Sequence, residues 1–147
     1  MGSIKVFTPA PTAAEQLEAA KASAVQRISG ALAAALAEGQ PYTMPDGTDD
    51  IIQTRADDRQ NLMGLAIEAR DLQAVGETGA VQEFRAQSNA RYQLTPGEMI
   101  ALTDAALVHY KTLMARSWDR KDVINAVELE DYASLGDAIA EVDAITW

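Results

Sequence analysis

Between Tyr42 and Leu62 the spacing of apolar residues changes twice within 21 residues, and that change predicts a fold that mixes short strands with helices. Tyr42-Thr43-Met44 alternates as a strand does, Pro45-Asp46-Gly47 carries turn chemistry with Gly47 free to take a positive φ, and Ile51 to Thr54 resumes extended character. The segment reads as a hairpin. Thr54, with Asp57 three residues on, then resembles a helix cap, and Leu62, Leu65, Ala66, Ala69 and Leu72 keep helical spacing up to the glycines at 76 and 79.

The same logic recurs downstream. Val81 to Ala86 is strand-like, Ser88-Asn89 is a turn and Arg91 to Leu94 is a return strand, which makes a second hairpin. Thr95-Pro96-Gly97-Glu98 is a capping box with proline at the first helical position, so a long helix is predicted from Pro96. Met99, Leu102, Ala106, Tyr110 and Leu113 form one face of it, with Ile100, Leu107 and Met114 recurring beside that face. After Trp118 to Asn125 the acid-rich "VELEDYASLGDAIAEVDAITW" is expected to be a shorter helical tail.

Upstream of the first hairpin, Thr12 and Glu15 make another capping box, opening a helix from about Ala13 to Ala37 that Gly39 and Pro41 bring to an end. Leu17, Val25, Ile28, Leu32 and Leu36 trace a narrow apolar stripe on it, and alanines cover most of the rest. Two readings stand: a helix packed on its own domain, or a helix that docks on another chain. Hydrophobic residues make up 48% of the chain and charged ones 23%, a globular balance, with aromatics at only 5%. The expectation is an α+β protein in which two antiparallel hairpins pack on a long C-terminal helix, with residues 1–40 as a helical arm, 41–127 as the domain and 128–147 as an acidic tail.

Charge narrows the partners. The net charge of −10 gathers in Pro41 to Ala80 and in Asp119 to Trp147, which argues against a nucleic-acid backbone. The absence of cysteine removes disulfides, thiolate nucleophiles and thiolate metal sites. "MGSIKVFTPAP" has no apolar run of signal-peptide length, and Val6 sits where a myristoylation signal needs Ser or Thr, so no membrane association is expected. Catalysis has little to work with. His109 is the single histidine, Asp49-Asp50 and Asp57-Asp58 suit turns and helix starts, and "PDGTDD" lacks the alternating ligands and closing glutamate of a calcium loop. Neither a phosphate-binding glycine loop nor a Gly-x-Ser-x-Gly elbow occurs, so no enzyme, cofactor or metal is expected.

The runs "MPDGTDDIIQTRADDRQNLMGLAIEA", "FRAQSNARYQLTPGEMIALTDAALVHYKTLMARS" and "RKDVINA" together resemble an uncharacterised domain family of tailed-bacteriophage tail proteins, associated with tail-fibre assembly. The parallel spans Tyr42 to Ala126: a hairpin before an Asp-containing helix, a second strand pair, and a Leu-Thr-x-x-Glu helix start. The resemblance implies a non-enzymatic adaptor or assembly chaperone that binds another tail or fibre protein, in the virion tail or in the host cytoplasm during assembly. An acidic regulator of a basic protein is the alternative. On either reading Leu17, Val25, Ile28, Leu32 and Leu36 are the expected docking stripe, Tyr42, Thr54 and Arg55 a polar binding rim, and a trimer the first expected oligomer.

Overall fold

The computed structural model describes residues 2–4 and 6–147. Helix α1 (Ala13–Glu38) leads to a hairpin of β1 (Gln40–Thr43) and β2 (Asp49–Ile52), then to α2 (Ala56–Ala74) and a second hairpin of β3 (Gln82–Arg85) and β4 (Arg91–Leu94). The long α3 (Pro96–Asn125), a 3-10 turn (Leu129–Asp131) and α4 (Leu135–Ala144) follow. Among the described residues, four helices and two separate antiparallel two-stranded sheets make the class α+β, in the expected order.

The chain forms two compact units: Met1–Gly30 with Ser117–Trp147, and Ala31–Arg116. This partition differs from the expected 1–40, 41–127 and 128–147. The arm as far as Gly30 and the acidic tail belong to one unit, and α1 and α3 each contribute residues to both units.

In the first unit, Leu17, Ala24 and Ile28 of α1 pack with Ile124, Val127, Ala138 and Val142 as one buried cluster. The helix starts as its capping box dictates: the Thr12 amide donates to Glu15 Oε1 at 3.3 Å, and the Glu15 amide donates to Thr12 Oγ1 at 3.1 Å. Lys21, buried within the same stripe, donates from Nζ to the carbonyl of Asn125 at 3.2 Å and lies 3.5 Å from Glu18. A cation there satisfies a carbonyl left open at the end of α3 and meets the negative end of its dipole. Ser134 caps α4, accepting from the amide of Asp137 at 3.1 Å. The docking stripe is therefore corrected at its centre. Leu17 and Ile28 are buried against the chain's own C-terminal helices because a narrow apolar stripe on an alanine helix is complementary to α4 of the same chain. A three-fold seam along that stripe loses those two contact residues.

In the second unit, each hairpin turns where its sequence dictates. Gly47 has a φ of 88°, its amide donates to Met44 O at 2.8 Å, and Met44 N donates to Thr48 O at 2.8 Å. Because that bond closes the loop, pairing begins at Thr43 with Asp49 and ends at Gln40 with Ile52, so the return strand lies two residues nearer the turn than Ile51–Thr54. Asn89, with a φ of 68°, makes the second turn, which the Arg85–Arg91 pair closes; the pairing runs from there to Gln82 with Leu94 at the open end of the hairpin. Phe84, Tyr92 and Leu94 alternate inward from this hairpin onto Met44 and Ile52, Leu62 and Ala69 of α2, and Met99, Leu102 and Ala106 of α3. The capping box at Thr95 and Glu98 forms in both directions, at 2.9 and 3.2 Å. At α2 the cap is Arg55 rather than Thr54: the Arg55 amide donates to Asp58 Oδ2 at 3.1 Å. Thr54 has another task, since its hydroxyl donates to the carbonyl of Leu36 at 2.6 Å.

Candidate interaction surface

Of the four acidic residues that could have suggested chemistry, Asp49, Asp50 and Asp58 are engaged in holding the second unit together. Asp50 Oδ2 accepts from Tyr92 Oη at 2.6 Å and from Ser88 Oγ at 2.5 Å, and Oδ1 accepts from the Ile51 amide at 2.8 Å. Two more bonds join the two hairpins, from the Ser88 amide to Asp50 Oδ1 at 3.4 Å and from the Gln87 amide to the Ile51 carbonyl at 3.0 Å. The hydrogen bond from Ser88, with that from Tyr92 next, holds the Asp50 carboxyl down at about 2 against the opposing effect of burial. The same bond to Asp50 is the main cause that pushes the Tyr92 phenol up to about 12. At neutral pH the pair is locked as carboxylate acceptor and phenol donor, a clamp between hairpins rather than a proton relay. Asp49 accepts from Thr43 Oγ1 at 2.7 Å, and Asp58 caps α2. His109 is half-buried, and burial lowers its pKa, which favours the neutral ring at pH 7. Among the described residues no three His, Cys, Asp or Glu side chains are grouped to hold a metal, and no helix is long and apolar enough to cross a membrane.

Two clefts of this unit mix polar and apolar lining. One, of about 270 Å³, is lined by Gln53, Asp58, Asn61, Glu83, Arg85 and Asn89 among others. Its charged groups are already paired: Asp58 caps α2, Glu83 meets Arg91 at 3.5 Å, and Arg85 Nε donates to the Asn89 carbonyl at 3.3 Å. The other, of about 460 Å³, lies by Gln73, Glu77, Thr95 and Gly97.

The third differs in kind. Between α2 and α3 runs a groove of about 410 Å³ whose floor is Leu62, Ala66 and Ala106 and whose flanks include Met63 and Leu107. Met63 is 61% exposed and Leu107 54%, and Ile67 and Val108 are exposed on the same two helices. The ends of the groove carry charge. Arg59 lies 4.4 Å above the Tyr110 ring and donates from Nη1 to the Thr54 carbonyl at 2.7 Å. Arg70 and Asp104 face each other across the helices at 3.5 Å, both more than half exposed. An apolar channel bordered by cations and an anion fits a protein surface better than a small polar substrate.

The residues expected at a partner surface do not come together as one site. Leu17 and Ile28 lie in the core of the first unit, and Val25 packs half-buried against that core. Leu32 and Leu36 are half-buried. Of the expected rim, Tyr42 packs half-buried against the second core and Arg55 is exposed, but Thr54 is corrected to a buried residue, 1% exposed, because its hydroxyl is spent on Leu36. The groove was missed. Its signal is the pair Met63 and Ile67 on the far side of α2 from Ala69, repeated by Leu107 and Val108 on α3: each helix carries apolar residues on a second face.

Neither a curated protein nor a solved structure matches this chain. One family profile does, over residues 12–146, so that it takes in the alanine-rich helix and the acidic end as well as the two hairpins. On that match the chain belongs to the family described as Domain of unknown function (DUF4376).

Proposed function

We propose that this chain is a non-enzymatic bacteriophage tail protein, an adaptor or assembly chaperone that acts by holding other proteins rather than by chemistry. The observation that carries the reading is the α2–α3 face, where Met63 and Leu107 stay exposed on the flanks of an apolar groove and Ile67 and Val108 are exposed on the same two helices. Exposed apolar surface of this kind costs solubility unless something covers it, and a site of assembly is the use that offsets that cost. The tail assignment itself rests on the resemblance of Tyr42 to Ala126 to tail-associated domains. Asp50, Tyr92 and Asp58 support the non-catalytic part, since each is committed to a structural bond. The test is co-expression with the tail protein encoded beside it, followed by co-purification and by a search for the chain in purified particles. Co-purification is the expected result, and presence in particles separates an adaptor from a chaperone. A chain that neither co-purifies with tail proteins nor occurs in particles overturns the tail reading.

A further inference from the structure

We infer that the α2–α3 face of the second unit is a two-fold interface, and that its occupant is a second copy of this chain. The inference rests on the reading above that this face serves assembly, and it names the partner.

The argument is self-complementarity. A two-fold contact brings the same patch of both copies together, so whatever one edge presents the other edge must accept. Here the α2 edge is cationic, with Arg59 and Arg70, and the α3 edge carries Asp104. Laying α2 of one copy along α3 of the other sets Arg70 against Asp104 of the second copy, twice, with no like charges opposed in those pairs. Within one chain the Arg70–Asp104 pair is long, at 3.5 Å, and exposed on both sides, so it holds its geometry weakly and is free to re-pair. Shape agrees with charge. Met63 and Leu107 stand as ridges beside a floor of small residues, Ala66 and Ala106, so each copy offers both the ridge and the groove that packing of helix faces requires. Fixed pairing of this kind also gives the face a register that an apolar groove alone lacks.

Each copy carries a net charge of −10, so the copies repel at long range; the centre of the contact is apolar, and the two exposed Arg70–Asp104 pairs contribute less attraction for salt to screen than that repulsion opposes. Raising salt is therefore expected to strengthen the dimer. An acidic partner held by Arg59 would be released by salt instead, and that outcome counts against the second copy.

The test uses the full chain and analytical ultracentrifugation. Wild type is expected to sediment as a dimer at high micromolar concentration. Arg70→Asp alone opposes two carboxylates across each pair, and Asp104→Arg alone opposes two guanidiniums, so each variant is expected to be a monomer with an unchanged circular dichroism spectrum. Mixed in equal amounts, the two variants regain one attractive pairing at each position and are expected to form a heterodimer. Leu107→Glu is expected to be monomeric alone and in either mixture. Wild type that is monomeric in raised salt, single charge variants that dimerise as wild type does, or a mixture that stays monomeric would each overturn the inference. The readouts separate the two proposals: a monomer that still co-purifies with a tail protein removes only the two-fold interface, and a dimer that binds no tail protein removes only the tail reading.

Discussion

Replacing Asp50 with asparagine tests whether the two hairpins are held together by one charged acceptor. In the wild type the carboxylate takes hydrogen bonds from Ser88 Oγ at 2.5 Å and Tyr92 Oη at 2.6 Å, and its carboxyl titrates at about 2 instead of 3.8. A difference of nearly two pH units corresponds to about 2.4 kcal/mol at 1.36 kcal/mol per unit. Asp50 is only half-buried, so solvent screening reduces the expected contribution to about 1 kcal/mol. The sign follows from the direction of the shift. A carboxyl whose folded pKa is depressed contributes its stability in full above its unfolded value, near 4, and loses it as the pH falls towards 2. Asp50→Asn is therefore expected to lower the urea midpoint at pH 7 and to match wild type once the pH has dropped to about 2. Both tryptophans, Trp118 and Trp147, belong to the first unit, so fluorescence does not report on the hairpins directly. The assay is hydrogen exchange at the Ile51 and Gln87 amides, read beside far-ultraviolet circular dichroism. Equal midpoints at pH 7, or a difference that persists undiminished at pH 2, refutes the charge-assisted clamp.

Three further substitutions probe the joints of the fold. Gly39 has a φ of 80°, and a Cβ there would lie 2.6 Å from both Ile51 Cγ2 and the Ile52 carbonyl oxygen, whereas a Cβ at Gly47, φ 88°, would meet nothing within 4 Å. Gly47→Ala is expected to cost about 1 kcal/mol of backbone strain and Gly39→Ala distinctly more, and equal losses in denaturant melts would contradict the clash. Ile28→Asp puts an unpaired charge into the first core at a position 0% exposed, so it should cost several kcal/mol and shift tryptophan emission to the red; a native spectrum would return Ile28 to the surface. Thr54→Val leaves the Leu36 carbonyl without its donor and is expected to cost about 1–3 kcal/mol, with Thr54→Ser close to wild type; indifference to both would show that water replaces the hydroxyl.

What was legible in the sequence is what local chemistry decides. Both capping boxes, at Thr12 with Glu15 and at Thr95 with Glu98, form because donor and acceptor are three residues apart and meet as soon as the helix does. Gly47 takes its positive φ for the same local reason. Where two local solutions compete, a distant group decides. Thr54 could cap α2, but the Leu36 carbonyl, 18 residues back, takes its hydroxyl, and Arg55 becomes the cap. Lys21 stands on an alanine helix with nothing local to bury it, yet it is buried, and its acceptor, Asn125, lies 104 residues further on. The groove was hidden for a related reason: α2 and α3 each carry two apolar faces, and periodicity does not say which one the core will take.

The arm misled for a physical reason that bears on how the protein can be dissected. An alanine helix with a thin leucine and isoleucine stripe buries too little by itself and needs a second surface, but the stripe does not say whether that surface lies on the same chain. Here it does: Leu17, Ala24 and Ile28 share a core with Ile124, Val127, Ala138 and Val142. The last turns of the same helix belong to the second unit, where Leu36 receives Thr54. Cutting at residue 40 would strip the first core of three members and orphan the Thr54 hydroxyl in the second. Cutting at residue 127 would remove Ala138 and Val142 and leave Ile28 and Ile124 facing water. The family profile, which runs from 12 to 146, covers this same interdependent span. The Ala-rich helix is thus a structural member of the first core rather than a free tether, and the exposed apolar surface left to recruit a partner on the second unit includes the α2–α3 face.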